Sequence, residues 1–76
     1  MIQPSEIEKM IVDRMPDARI QVFDMNGTGD HFEIEVISEA FRGRTLIEQH
    51  KLVFEALEKE MDHRIHAVKL KTRVPR

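Results

Sequence analysis

The chain has 76 residues, no cysteine and a formal net charge of −2. A chain of this length forms one domain and buries only roughly 60% of the surface that its unfolded form exposes. We therefore treat residues 1–76 as a single domain whose thin core leaves little room for the enclosed pocket of an enzyme. Without cysteine, the chain alone has no disulfide, no thiolate metal ligand and no cysteine nucleophile.

The first residues predict a protein of the cytoplasm, or of an organelle matrix after import. Met1 to Pro4 lead directly into a charged segment and lack the basic start and apolar stretch of a secretory signal. No apolar run approaches the ~20 residues that cross a bilayer, so we expect no association with a membrane.

Charge is unevenly distributed along the chain. Residues 1–38 contain three basic residues against eight acids, whereas residues 63–76 contain five basic residues and no acid. Two interpretations stay open. The basic end could meet an acidic partner or a phosphate backbone, or it could be a strand whose outer face needs solubility, which is the more ordinary explanation.

The first predicted element is a helix. Ser5 and Glu8 have the spacing of a capping box, and Pro16 marks the end of the helix. The apolar residues between them recur at the helical period and predict a buried side: Ile7, Met10, Ile11 and Met15.

A β-hairpin follows, with strands at about 19–25 and 31–38. Ile20 and Val22 share one face of the first strand. Asn26-Gly27-Thr28-Gly29-Asp30 predicts the connection, because Asn-Gly readily adopts the positive φ angles of tight turns. The second strand alternates, with Phe32, Ile34 and Val36 inward and His31, Glu33 and Glu35 outward.

Phe41 to Arg44 predict a turn into a second helix, where Thr45 and Glu48 repeat the capping-box spacing. The predicted apolar stripe of this helix is Leu46, His50, Val53, Phe54, Leu57 and Met61. Asp62 to Arg64 end the helix, and 65–72 form the last strand.

The resulting order is α-β-β-α-β, which predicts a two-layer α+β fold with a three-stranded mixed sheet. The long second helix brings the chain back, so the third strand should run parallel to the second. Both helices then cover one face, and the other face is exposed to solvent with Gln21, Glu33, Glu35, Lys69 and Lys71.

Histidines are the residues best suited to metal or proton chemistry near neutral pH. His66 shares strand parity with Val68 and Leu70, so a structural histidine bonded to a backbone carbonyl is the more common interpretation of it. His31 and His66 start neighbouring parallel strands, near 5 Å apart, and could share a metal. The opposite parity of the two rings requires His31 to lie in the hairpin turn.

The remaining two histidines are not predicted to bind a metal. His50 should fill the interface between helix and sheet or bond the turn near Phe41, and His63 is a loop residue. The chain contains no Ser/His/Asp arrangement, phosphate-binding glycine loop or His-Glu-x-x-His helix, so we expect a protein that is not an enzyme.

Five segments together resemble the BolA family over 5–75, nearly the whole chain. They are Gly29-Asp30-His31-Phe32, Ser38-Glu39-Ala40-Phe41-Arg42-Gly43, Gln49-His50-Lys51-Leu52-Val53, Ile65-His66-Ala67-Val68 and Thr72-Arg73-Val74-Pro75. The resemblance implies a fold related to the type II KH domain, in agreement with the element order.

The resemblance also implies a partner. BolA-like proteins pair with monothiol glutaredoxins and share a [2Fe–2S] cluster, with roles in iron–sulfur trafficking or iron and redox regulation. The family's ligand histidine in the C-terminal strand matches His66, and its more variable hairpin ligand matches His31. A glutaredoxin cysteine and a glutathione thiol would complete the four ligands, so the isolated chain, a monomer or weak dimer, should bind no cluster.

The alternative hypothesis is a KH-like, nucleic-acid-binding transcriptional regulator. Arg42, Gly43 and Arg44 precede a helix N-terminus, where backbone amides favour phosphate, and Lys69 and Lys71 make the last strand basic. The chain lacks a Gly-x-x-Gly clamp and has a negative net charge, so the cluster hypothesis is favoured.

Overall fold

The computed structural model describes residues 2–25, 27, 29, 31–61 and 63–76. Two helices, α1 (Pro4–Arg14) and α2 (Leu46–Leu57), pack against three strands, β1 (Arg19–Asp24), β2 (His31–Ile37) and β3 (Ala67–Arg73). A short 3₁₀ turn, Glu39–Phe41, links β2 to α2. The α-β-β-α-β order and the α+β class predicted from the sequence are confirmed.

The sheet has the order β1-β2-β3 and is mixed. β1 pairs with β2 antiparallel, from Arg19 opposite Ile37 to Asp24 opposite Phe32. β2 pairs with β3 in parallel, from His31 opposite Ala67 to Ile37 opposite Arg73. The predicted hairpin and the predicted parallel third strand are therefore both present.

The core lies between the helices and the sheet. The inward residues Phe32, Ile34 and Val36 of β2 are fully buried, as the alternation predicts. Both helices and the loops complete one cluster of buried residues: Ile2, Ile7, Ile11, Met15, Phe41, Val53, Leu57 and Ile65. The opposite face of the sheet, called the open face below, bears no helix.

The start of α1 differs from the prediction. The helix begins at Pro4, and the Glu6 carboxylate accepts a hydrogen bond of 2.8 Å from the Gln3 N–H, so the predicted capping box of Ser5 and Glu8 is wrong. The pairs Gln3–Glu6 and Ser5–Glu8 both have the i, i+3 spacing of a capping box. Pro4 favours Gln3–Glu6, because proline suits the first helical position. Burial of Ile2 fixes the entering chain.

The second helix is capped as predicted but is shorter. Thr45 Oγ1 accepts from the Glu48 N–H at 3.2 Å, while the Glu48 carboxylate accepts from the Thr45 N–H at 2.8 Å. The prediction of Leu46 in the apolar stripe is wrong: its side chain is 61% exposed in the first turn. Met61 lies beyond the helix, which ends at Leu57.

The hairpin connection is described only in part. Gly27 and Gly29 have φ of 69° and 76°, as the turn prediction requires, and Asn26, Thr28 and Asp30 lie outside the described residues. Gly29 N–H donates to the Asp24 carboxylate at 2.7 Å. This hydrogen bond ties the hairpin connection to the last residue of β1. Asp62, predicted to help end α2, also lies outside the described residues.

One carboxylate joins the loop before β1 to the chain after β2. Asp17 accepts from the Ser38 hydroxyl at 2.7 Å and from the Glu39 N–H at 2.8 Å. The bond from the Glu39 amide, followed by that from Ser38, lowers the pKa of Asp17. Ser38 is fully buried, so this bond satisfies a polar group that water does not reach.

No helix in the described part of the chain is both long and apolar enough to cross a membrane.

Two phenylalanines test the core assignment. Phe32→Ala should lower the free energy of unfolding by about 3–5 kcal/mol, because it leaves a cavity in a fully buried site. Phe23→Ala, on a side chain that is 56% exposed, should cost less than about 1 kcal/mol. Urea denaturation of both variants measures the difference. Equal losses would contradict the layer arrangement.

The Asp17 contact predicts a pH dependence. A carboxyl whose pKa is lower in the folded state stabilises the fold above its unfolded-state value of about 3.9, and this contribution disappears as the pH falls through the folded pKa. Asp17→Asn should therefore be less stable than the parent at neutral pH, and the difference should shrink in strong acid. Urea denaturation at both pH values measures it. Asp13→Asn removes an exposed charge from α1 and controls for net charge.

Candidate metal centre

Two histidines meet at one end of the sheet. His31 opens β2 and is half-buried, and His66 immediately precedes β3 and is exposed. Their ring centres are 6.4 Å apart with an interplanar angle of 33°. We call these two residues the histidine pair. The parallel register brings them together, because His31 lies opposite Ala67, the residue after His66.

The structure corrects two expectations about this pair. His66 does not point into the core, because β3 begins only at Ala67 and the strand alternation does not extend back to position 66. The prediction that His66 lies on the same apolar side as Val68 and Leu70 is therefore wrong. His31 is part of β2, so it does not need to belong to the hairpin turn to approach His66.

The segment before His66 is held in place. Ile65 is fully buried and forms an isolated parallel bridge with Met61. The Arg64 guanidinium donates two hydrogen bonds to the Glu60 carboxylate and lies 3.6 Å from that of Glu6 on α1. The hydrogen bond from Arg64 lowers the pKa of Glu60. The chain on the N-terminal side of His66 is thus anchored to α1 and to the turn that follows α2.

The histidine pair can supply two nitrogen ligands to a metal centre. Imidazole is a common ligand for zinc, copper and iron, and two histidines replace two thiolates on one iron of some [2Fe–2S] clusters. Two imidazoles on one tetrahedral ion, with metal–nitrogen distances of about 2.0–2.1 Å, place their ring centres roughly 5 Å apart. The exposed side chain of His66 can close the difference from 6.4 Å by rotating.

The pair does not make a complete metal site. Over the described ranges, no three or more His, Asp or Glu side chains come together in a way that could hold a metal ion. The sequence contains no cysteine to add a thiolate. Among the described residues, the pair alone is therefore an incomplete donor set for a four-coordinate metal.

Exposed apolar side chains flank the histidine pair. Met25, 54% exposed, donates its backbone N–H to the His31 carbonyl at 2.9 Å. Phe23, 56% exposed, lies two residues earlier, opposite Glu33. The proximity of Phe23 to the pair becomes visible through the strand register.

The other two histidines do not join this site. His50 is half-buried on α2, and His63 is exposed. His50 was predicted either to fill the interface between helix and sheet or to bond the turn near Phe41. Bonds to that turn come from its neighbour: the Gln49 amide donates to the carbonyls of Phe41 and Arg44 at 3.5 and 3.0 Å. Gln49 also accepts from the Thr72 hydroxyl at 2.7 Å.

The arginines of the nucleic-acid hypothesis are engaged in contacts within the fold. Arg42 donates to both oxygens of Glu39, at 2.8 and 2.9 Å, and to the Pro75 carbonyl at 3.4 Å. Arg44 Nε donates to the Ala40 carbonyl at 2.9 Å. Gly43, between them, has a φ of 77°. Glycine adopts this left-handed conformation without strain, so the turn itself accounts for the residue.

The lysines of that hypothesis lie elsewhere. Lys69 and Lys71 are exposed on the open face, where Lys71 Nζ is 3.6 Å from the Glu33 carboxylate. Arg73 and Glu35 make a similar pair at 3.8 Å. The acids of β2 thus partly neutralise the basic strand, as expected for a face that needs solubility.

The sequence matches the family model described as "BolA-like protein" over residues 5–76. The chain therefore belongs to the BolA-like family, and the resemblance noted in its motifs is confirmed.

Individual relatives agree with this assignment. Protein BOLA2 of Arabidopsis thaliana is 38% identical over 72 residues, covering 93% of this chain and 76% of that protein. A solved BolA homologue from Coxiella burnetii is 36% identical with a TM-score of 0.78, covering 99% and 94%. BolA1 from Arabidopsis thaliana has a TM-score of 0.87 at 22% identity and 99% and 94% coverage, and it supports the fold alone.

Proposed function

We propose that this BolA-like protein binds a monothiol glutaredoxin and contributes His66, with His31, to a [2Fe–2S] cluster shared between the two chains. The observation that carries the proposal is the histidine pair, with ring centres 6.4 Å apart and one ring exposed, at the end of the sheet. The bound cluster would supply iron–sulfur transfer or redox sensing, and the chain itself would not be a catalyst.

The division of ligands follows from the chemistry of the chain. A [2Fe–2S] cluster takes four ligands, and this chain offers two imidazoles and no thiolate. A glutaredoxin cysteine and a glutathione thiol would complete the set. The role of this chain would be to present two nitrogen donors, one at the start of β2 and one just before β3, where Ile65 and Arg64 restrain the backbone.

The surface around the pair is suited to a partner. Phe23 and Met25 together expose apolar area beside His31, and exposed apolar groups next to a polar site are typical of protein–protein contacts. A glutaredoxin that brings its cysteine to the histidine pair would cover these side chains.

Substitution of the ligands tests the proposal. Mixing the parent chain with cluster-loaded glutaredoxin and glutathione should change the visible absorption and circular dichroism, because imidazole replaces other ligands of iron. His66→Ala should abolish the change, and His31→Ala should reduce it. His63→Ala, an exposed histidine three positions away, is the matched control and should behave as the parent.

Two results would contradict this assignment. One is a spectral change in His66→Ala that equals that of the parent. The other is binding to metal-free glutaredoxin that is as tight as binding to the loaded form and indifferent to both histidines. That second result would favour regulation through a complex without metal.

The apolar residues beside the pair give a second prediction. Phe23→Ala should weaken the complex with loaded glutaredoxin about tenfold, because it removes a large apolar contact without disturbing the core. Isothermal titration calorimetry measures the dissociation constant. Ile47→Ala is the control: Ile47 is 80% exposed but lies in the first turn of α2, away from the histidine pair, so binding should be unchanged. A parent-like Phe23→Ala would rule out this surface.

Nucleic-acid binding is less well supported by the same observations. Arg42 and Arg44 would have to leave their hydrogen bonds with Glu39 and Ala40 to reach a phosphate. Lys71 is paired with Glu33. The geometry therefore favours the cluster proposal.

A further inference from the structure

A second concave site lies at the opposite end of the sheet from the histidine pair. The cavity has a volume of about 650 Å³ and is lined by Asp17, Arg19, Ile37, Arg73, Val74, Pro75 and Arg76. It begins where β2 ends at Ile37, six residue steps or roughly 20 Å along the strand from His31. We call it the arginine cavity. It is independent of the proposed cluster site.

The sheet register places two guanidinium groups across the floor of the arginine cavity. Arg19 lies opposite Ile37 on one side, and Arg73 lies opposite Ile37 on the other. The three residues form one row on the open face, with an apolar side chain between two cations. Arg76 adds a third guanidinium to the lining.

The positive charge of the cavity is only partly compensated. Asp17 is the one acid of the lining, and its two oxygens accept from the Ser38 hydroxyl and the Glu39 amide. Arg73 has a single contact of 3.8 Å with Glu35. In the part of the chain that the structure describes, Arg19 and Arg76 make no ion pair.

The walls of the cavity are held by bonds that involve none of the three arginine side chains. Ser38 N–H donates to the Arg73 carbonyl at 3.1 Å and fixes the end of β3. Arg42, itself oriented by Glu39, donates to the Pro75 carbonyl at 3.4 Å. These bonds fix the backbone at Arg73 and Pro75, and strand pairing with Ile37 fixes that of Arg19. The Arg73 side chain keeps its contact with Glu35, and those of Arg19 and Arg76 stay available to a ligand.

We infer that the arginine cavity binds a small organic anion, with its carboxylate or phosphate group between Arg19 and Arg73. Guanidinium groups bind both kinds of anion through paired, charge-assisted hydrogen bonds. The apolar part of the ligand lies on Ile37, Val74 and Pro75. The volume falls in the range of about 300–1,000 Å³ that is typical of small-molecule sites.

Two probes that share an aromatic ring test the inference and separate the two anions. Phenyl phosphate and phenylacetate are titrated into the ¹⁵N-labelled free chain, with benzyl alcohol as the neutral control, and amide shifts are followed by NMR. At least one anion should give saturable shifts at Ile37 and Val74, and the tighter of the two identifies the preferred head group. Benzyl alcohol should give none.

Charge variants show whether binding needs these arginines. Arg19→Gln and Arg73→Gln should each weaken the bound probe about tenfold, as expected for the loss of a hydrogen bond between charged groups. Lys69→Gln removes the same charge from another row of the open face and should retain binding. His66→Ala should also retain binding, so this test is separate from that of the cluster proposal.

Three results would overturn the inference. The first is the absence of saturable shifts with both anions. The second is an equal loss of affinity in Lys69→Gln and in the two arginine variants, which would indicate attraction to overall charge only. The third is binding of an acidic peptide, such as hexaglutamate, while neither small anion binds. The amide spectrum of each variant verifies that it is folded.

Discussion

The structure depends on the central strand, β2, which is paired on both sides and fully buried on one face. Phe32, Ile34 and Val36 must face the helices, and a shift by one residue would turn all three into water. The register with both neighbours is therefore strongly fixed. Both candidate sites are consequences of that register, because its first row contains His31 and its last row contains Ile37 between two arginines.

Much of the fold could be predicted from patterns of short range. Alternation along β2, the glycines of the hairpin and the Thr45 capping box each have a local physical cause that acts whatever the rest of the chain does. The start of α1 does not follow from the capping-box spacing alone, because Gln3 and Ser5 both precede a glutamate at the correct distance. Pro4, which suits the first helical position, favours the earlier pair, and burial of Ile2 in the core fixes the entering chain.

The candidate site was less accessible to sequence reasoning. Proximity of His31 and His66 followed from parallel strands, but the exposure of His66 depended on where β3 begins, and strand ends are set by tertiary contacts. The hydrogen bonds of Gln49 and the arginine cavity were not predicted. Their partners lie 23 and 54 positions apart in the sequence, as in Gln49–Thr72 and Arg19–Arg73, and no local pattern signals such a meeting. The basic end of the chain does form a strand with one exposed side, and whether it meets an anionic partner stays a prediction.

The contacts of Arg64 affect the entropy that the proposed complex would lose on forming. A loop that must become ordered when a partner arrives loses conformational entropy at that moment, and the affinity falls accordingly. Ile65 in the core and Arg64 between Glu60 and Glu6 already restrain the backbone that carries His66. The free chain therefore presents this imidazole in a preorganised state, with side-chain rotation as the main freedom left to lose. Formation of the proposed complex should therefore need little remodelling of this backbone.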